Sequence, residues 1–260
     1  MKHVLITGAT RNTGFCIARR FAECGYCVHI TGRNVNDVQK VTQEIIKEFP
    51  NSNAFGYKAD ISKTEDIKEM FSSIRKNTNS LDVFVANAAN LGIGFDVYNT
   101  DFKDFDEIIN TNIRGTFFCA KECGKLMTEK GGSIILLSSV QSKGAVEGRS
   151  VYGITKAAIN YMAKALAYDF APYGIRVNTL LAGAIHTDRW DISEDEKLSA
   201  MRANYPLGRE STMDEIANGV MYLAGDSSKT VTGTELLIDS GVSVSLLPYS
   251  ARREFKRDDF

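Results

Sequence analysis

Three side chains within eighteen residues could carry out proton transfer: Ser139, Tyr152 and Lys156. Tyr152 and Lys156 lie four apart in "VYGITK", a spacing that puts both on one face of a helix. An ammonium close to a phenol favours phenolate and lowers a pKa that is about 10 when unperturbed. A tyrosine tuned toward neutral pH is a competent general acid for a carbonyl oxygen receiving hydride. Ser139 ends the run "SIILLSS", thirteen residues before the tyrosine, so the loop between them can fold back and set the hydroxyl opposite the phenol. Tyr-x-x-x-Lys recurs by chance on helices; its place after a strand ending in Ser-Ser gives it weight.

A second constellation points to phosphate. "VLITGATRNTGFCIA" joins a strand-like run to a helix-like one through Gly8 and Gly14, six residues apart. Gly8 permits a tight turn, and Gly14 lets the helix start pack close, leaving its free N–H groups and dipole facing a pyrophosphate. Asn12 stands where a third glycine is usual, and asparagine is among the few other residues that tolerate positive φ. An ordinary tight strand–helix turn is the plainer alternative. After the second strand, in "ITGRN", there is no acidic residue to hold a free ribose 2′-hydroxyl. Arg33 and Arg11 instead suit a 2′-phosphate through bidentate charge-assisted bonds, which favours NADP(H) over NAD(H). Two solvated surface arginines are the alternative. Asp60 is placed either to accept from an adenine amino group or to cap the next helix, and Asn87 either to tie neighbouring strand ends together or to face a ribose.

The elements that must position these groups alternate along the chain. Strands are predicted over His3–Thr7, Tyr26–Thr31, Ala54–Ala59, Leu81–Ala86, Ser133–Ser138, Ile175–Leu180 and Glu235–Ile238. Helices are predicted over Gly14–Cys24, Val35–Phe49, Lys63–Lys76, Phe102–Glu129, Ser150–Ala171 and Met213–Ala224. That alternation implies right-handed βαβ units: an α/β fold, a single-domain, Rossmann-type, doubly wound parallel sheet of about seven strands with helices on both faces. In such sheets ligands bind beyond the carboxyl ends of the strands.

With 260 residues, 43% apolar and 24% charged, the chain can bury roughly three quarters of its unfolded surface. Its 31 basic and 32 acidic side chains are interspersed, which argues against a nucleic-acid or membrane partner. No apolar run approaches a membrane span or a signal peptide, so a cytoplasmic protein with its five cysteines reduced is expected. Cys24 and Cys27 have C-x-x-C spacing but follow a helix instead of starting one, so a structural role is expected over a redox dithiol. Cys119 and Cys123 are read as residues of one helix face. No metal site is expected.

The chain resembles the short-chain dehydrogenase/reductase family over Met1–Gly241. The resemblance rests on Thr7-Gly8-x5-Gly14, Asp60, Asn87-Ala88, Asn112 in "NTNIRGTFF", Ser139, Tyr152-x3-Lys156, "RVNTLLAG" and "YPLGR". It implies that Tyr152 is the acid/base, that Ser139 holds the substrate oxygen, and that Lys156 binds the nicotinamide ribose and depresses the pKa of Tyr152. Asn112 would hold a relay water linking Lys156 to solvent. Cofactor contacts would come from Gly8, Thr10, Arg11, Asn12, Thr13, Gly14, Arg33, Asn34, Asp60, Ile61, Asn87, Ala88, Tyr152 and Lys156. Gly183, Ile185 and Thr187 would border the nicotinamide.

The same resemblance implies a carbonyl or alcohol substrate, an apolar-lined lid over about residues 188–205, and a homotetramer or dimer built partly on the Phe102–Glu129 and Ser150–Ala171 helices. Trp190, Ile192, Leu198, Met201 and Tyr205 of the lid are candidate liners, with Phe95, Val140, Gln141 and Val146 from elsewhere. Ser193-x-x-Glu196 reads as a capping box that starts a short helix. Four positions depart from the family pattern: Asn12, the pair Ala86 and Ala89, Ala182, and Ser240 in the closing "DSG". The 242–260 extension could reach a neighbouring subunit through Leu246–Tyr249. The rival classes are a non-catalytic nucleotide-binding regulator or scaffold, whose mark would be loss of Tyr152 or Lys156, and a thiol oxidoreductase acting through Cys24 and Cys27.

Overall fold

Seven strands lie parallel in one sheet of order β3-β2-β1-β4-β5-β6-β7 in a computed structural model that describes residues 1–188 and 195–244. They are β1 (His3–Ile6), β2 (Cys27–Gly32), β3 (Ala54–Lys58), β4 (Val83–Ala86), β5 (Gly132–Ser139), β6 (Ile175–Ala182) and β7 (Glu235–Ile238). The helices are α1 (Asn12–Glu23), α2 (Val35–Glu48), α3 (Thr64–Asn77), α4 (Phe102–Ile109), α5 (Thr116–Lys125), α6 (Ser150–Phe170), α7 (Asp195–Arg202) and α8 (Met213–Ala224). All seven predicted strands form, within two residues at most ends. The predicted Phe102–Glu129 helix forms as α4 and α5 joined by a π-helical turn, Asn110–Gly115.

Alternation along each strand divides the core into two layers. Leu5, Phe84, Ile134 and Leu136 face α3, α5 and α6, packing on Phe71, Ile74, Ala120, Cys123, Ala163 and Leu166. Val4, Ile6, Val28, Ile30 and Ile135 face the other way, onto Ile17, Phe21, Ile45, Ile216 and Val220 of α1, α2 and α8. Each such fully buried large apolar side chain contributes about 1.5–3 kcal/mol relative to exposure. Cys119 and Cys123 are buried on α5, as a helix face predicts. Cys24 caps the end of α1 with Gly25 at φ 76° beyond it, the helix-terminal setting expected for this C-x-x-C pair.

The strand order reverses between β1 and β4, and this opens the crevice into which the loops after the strands project. Backbone bonds lock those loops together: Thr7 N–H to Val85 O at 3.1 Å, Ala9 N–H to Thr31 O at 3.0 Å and Ala59 N–H to Gly32 O at 2.8 Å. Trp190, Ile192 and Ser193 of the expected lid, and Leu246–Tyr249 of the expected interface segment, lie outside the described residues.

Candidate active site

The Gly8–Gly14 loop is shaped by what glycine lacks. A Cβ on Gly14 would sit 2.5 Å from both Asn87 Nδ2 and the Gly8 carbonyl oxygen, and Gly8 itself stands at φ 65° with Ala88 Cα 2.8 Å from where a Cβ would be. Asn87 donates through Nδ2 to the carbonyls of Thr7 at 3.0 Å and Gly8 at 2.8 Å. Asn87 thus ties β1 to β4, one of the two roles its position allowed. Asn12 stands at φ 48°, and with its amide nitrogen turned to Asp188 it donates to the carboxylate at 3.1 and 3.3 Å. The other non-glycine residue with positive φ among those described is Ser240, at 54°. Both are positions where the family pattern has glycine, so the backbone keeps its shape under the substitution.

Helix α1 begins at this loop with no acidic residue in its first turn and no side chain capping it. Its first N–H groups and positive dipole end are therefore available to an anion. A cavity of about 450 Å³ opens here, lined by Thr10, Arg11, Asn12, Phe15 and Asp188 among others. Arg11 and Arg33 are exposed and make no ion pair among the described residues. Asn34 is committed to capping α2, accepting from Asn36 N–H at 2.8 Å and Asp37 N–H at 3.3 Å. Asp60 does not cap α3, whose N-cap is Lys63. Its carboxylate accepts instead from Ser62 N–H at 3.1 Å and Ser62 Oγ at 2.7 Å, holding the loop ahead of that helix. Thr13 and Ile61 are buried beneath these loops, and Thr187 is buried after β6.

At the other side of the crevice, β5 runs its last residues along the first turns of α6. Lys156 Nζ donates to Leu137 O at 2.7 Å, and Ser138 Oγ donates to Lys156 O at 3.1 Å. Lys156 is only 4% exposed. Burial pushes its ammonium pKa down to about 8. The ammonium lies 5.4 Å from the centroid of the Tyr152 ring, the proximity predicted from their spacing. Ser139 ends β5 with its Oγ accepting from Gln141 N–H at 3.2 Å, which leaves its own proton free to donate elsewhere.

Asn112 sits inside the π turn and is completely buried. Its Oδ1 accepts from Asn90 N–H at 2.7 Å, and its Nδ2 donates to Asn90 O at 2.9 Å and to Thr155 Oγ1 at 3.0 Å. Thr155 Oγ1 in turn donates to the Tyr152 carbonyl at 2.8 Å. Asn112, Tyr152 and Lys156 are thus joined through one helix and one hydrogen-bonded chain, with Ser139 on the strand end beside them.

The structure adds residues the sequence did not single out. Arg149 lies with its guanidinium carbon 5.6 Å from the Tyr152 ring centroid and donates to Leu91 O. Glu210 joins the loop after β6 to α7: its Oε1 lies 2.7 Å from His186 Nδ1, and Arg202 donates to both of its oxygens at 2.6 and 2.8 Å. The Arg202 bonds, aided by His186, pull the Glu210 carboxyl pKa down to about 2. Local spacing gives Thr155, three residues after Tyr152, a signal; Asn90, Arg149 and Glu210 reach the site only through tertiary folding.

The sequence and the fold have counterparts among known proteins. A family model described as enoyl-(acyl carrier protein) reductase matches residues 8–243. The chain belongs to the short-chain dehydrogenase/reductase family. A 3-oxoacyl-(acyl-carrier-protein) reductase of Staphylococcus aureus is 32% identical over 244 residues, 93% of this chain and 98% of that one. A 3alpha-hydroxysteroid dehydrogenase of Mediterraneibacter gnavus is 29% identical over 240 residues, 92% and 95% of the two chains. Among solved structures, a mutant short-chain dehydrogenase/reductase of Serratia marcescens superposes with a TM-score of 0.86 at 27% identity, covering 93% of this chain and 98% of that one. As a member of this family the protein is an oxidoreductase. Among the described residues no helix is long and apolar enough to cross a membrane.

Proposed function

We propose that this chain transfers hydride between NADP(H) and a carbonyl or secondary-alcohol substrate, with Tyr152 as general acid/base. The observation that carries the reading is the junction of Lys156, Tyr152, Thr155 and Asn112 beside the end of β5, at the mouth of a glycine cradle that a Cβ would fill. The names of the two curated relatives, a hydroxysteroid dehydrogenase and an oxoacyl reductase, support chemistry at a hydroxyl/carbonyl couple.

The free N–H groups at the start of α1 would hold the pyrophosphate, and Arg11 and Arg33 the 2′-phosphate. Lys156 would hold the nicotinamide ribose, and Ile185 and Thr187 would flank the ring. The cofactor supplies or accepts the hydride. Tyr152 donates its phenolic proton to the substrate oxygen, while Ser139 Oγ–H holds the same oxygen by a hydrogen bond. The Lys156 ammonium stabilises the phenolate left behind. Reprotonation runs through Lys156 toward the π turn. Both N–H groups of the Asn112 amide are spent on Asn90 and Thr155, so the relay water would be held by the turn's main chain.

The wide exposed aromatic surface of Phe102, Phe117, Phe118, Tyr161 and Tyr168 on α4, α5 and α6 supports assembly through those helices, as a tetramer or dimer. The decisive experiment is a fluorescence titration with NADPH and with NADH, on wild type and on Arg33→Ala. Tighter binding of NADPH, lost at least tenfold in the variant while NADH moves less than threefold, supports the reading. Equal binding of both cofactors, or of neither, overturns it.

A further inference from the structure

Two of the chain's three histidines meet one of its five cysteines at the start of the β1–β2 pair. His3 pairs across the strands with Cys27, and His29 lies two residues further on, so the period of the strand returns all three side chains to one face. His29 is fully buried, Cys27 is 1% exposed, and His3 is half-buried at the rim. His3 Nδ1 is 3.0 Å from His29 Nε2, and Cys27 Sγ is 3.8 Å from that same nitrogen. The three donor atoms all lie within 4.8 Å of one another.

We propose that His3, Cys27 and His29 form a zinc-class divalent-cation site, with water in the fourth position on the side of half-buried His3. Zinc–nitrogen bonds of about 2.0–2.1 Å and a zinc–sulfur bond of about 2.3 Å put neighbouring tetrahedral donors roughly 3.3–3.6 Å apart. The 3.0 and 3.8 Å separations bracket that range, and His3 Nδ1 and Cys27 Sγ lie within 4.8 Å of each other, so the triangle closes onto a cation by side-chain rotation. A hydrogen bond between two imidazoles accounts for the first distance but not for a thiol completing the triangle, because sulfur is a weak hydrogen-bond partner. One thiolate and two imidazoles select zinc, cobalt and copper over magnesium or calcium.

The surroundings orient the ligands as a metal site needs. His29 Nδ1 lies 2.9 Å from Tyr57 Oη, which also accepts from Asn77 Nδ2 at 3.0 Å. With Nε2 on the metal, Nδ1 keeps its proton and donates it to Tyr57, which fixes the tautomer. The His29 ring is stacked on both Phe55 and Tyr57, with centroids 5.4 and 5.8 Å away. Asp82 accepts from the His3 backbone N–H at 2.6 Å, anchoring that strand end and placing a carboxylate near the incoming charge. On binding, the Cys27 sulfur forms its bond to the cation as its S–H bond gives up the proton to solvent. The cluster lies at the opening ends of the strands, opposite the cofactor loops, and would clasp β1 to β2 without taking part in hydride transfer.

The test is titration of the untagged, chelator-treated full-length protein with Co²⁺, followed by displacement with Zn²⁺. One equivalent of Co²⁺ should give a thiolate-to-metal charge-transfer band and the intense visible bands of a tetrahedral ion, and both should vanish on adding one equivalent of Zn²⁺. Cys27→Ser should remove the charge-transfer band and weaken zinc binding at least tenfold. His3→Gln, at the half-buried rim, should also weaken it tenfold with an unchanged near-ultraviolet circular dichroism spectrum, and it decides the matter if Cys27→Ser does not fold. Cys24→Ser, on the exposed cysteine three residues away, should bind as wild type does. Absence of the band in wild type, its loss in Cys24→Ser, or full zinc affinity in His3→Gln overturns the proposal.

Discussion

Replacing Lys156 by methionine separates the cost of burying a charge from the use made of it. The Lys156 pKa falls from 10.5 to about 8 because burial disfavours the ammonium. A difference of about 2.5 units at 1.36 kcal/mol each is a penalty of about 3 kcal/mol at pH 7 in the cofactor-free protein. Because the folded pKa is the lower one, this destabilisation is complete below pH 8, declines as pH rises, and is gone above 10.5. Wild type should therefore gain about 2 kcal/mol on Lys156→Met between about pH 7 and about pH 9.5. Methionine also leaves the Leu137 carbonyl without its donor, a cost of about 1–3 kcal/mol that does not depend on pH. The difference at pH 7 is thus modest while its slope is not. Urea unfolding of both proteins at a series of pH values and constant ionic strength gives that slope directly. A difference flat across the range, or one that moves in favour of methionine, would refute the reasoning. The variant should have no measurable turnover at any pH.

Tyr152→Phe should lower turnover at least a thousandfold while NADPH affinity stays within a few-fold, and an active variant would remove the phenol from the mechanism. At the Gly8–Gly14 loop, Asn12→Gly should bind cofactor as wild type does, whereas Asn12→Val, forced to φ 48°, should lose at least tenfold in a fluorescence titration. Glu210→Gln tests the bridge between the β6 loop and α7. A folded pKa of about 2 against 4.5 means the carboxylate stabilises the fold above pH 4.5 and loses that contribution as pH falls toward 2. The variant should be about 1.5–3 kcal/mol less stable at pH 7, with the gap closing in acid; a gap independent of pH would count against the bridge.

Much of this was legible from local rules. The seven strands follow from short apolar runs, and the candidates Asn112, Ser139, Tyr152 and Lys156 from spacing joined to a family resemblance. Asn12 illustrates what a single residue type carries: its tolerance of positive φ is a property of its own side chain, so the loop's shape could be read from the sequence. The π turn could not. A regular apolar period over Phe102–Glu129 hides one displaced residue, and the displacement is held by Asn90 and Thr155, distant in the chain. Glu210 was equally silent, because a carboxylate shared by His186 and Arg202 has no local period to announce it. The His3–Cys27–His29 triangle arises from strand register, which short-range spacing does not encode.

The interior place of β1 in the sheet has a kinetic consequence during synthesis. β1 can pair with β2 as soon as Cys27–Gly32 emerges, but its other edge waits for Val83, since β4 is the neighbour on that side. At roughly 5–20 residues per second the intervening chain takes several seconds to be made. Through that interval a strand that the finished sheet flanks on both sides presents an open edge, a template for pairing with another nascent chain. Asn87, which fastens Thr7 and Gly8, arrives just behind β4. The Gly8–Gly14 loop, second feature in the sequence, is therefore among the last of the N-terminal half to become rigid, and a ligand held there would act on folding yield only after that point.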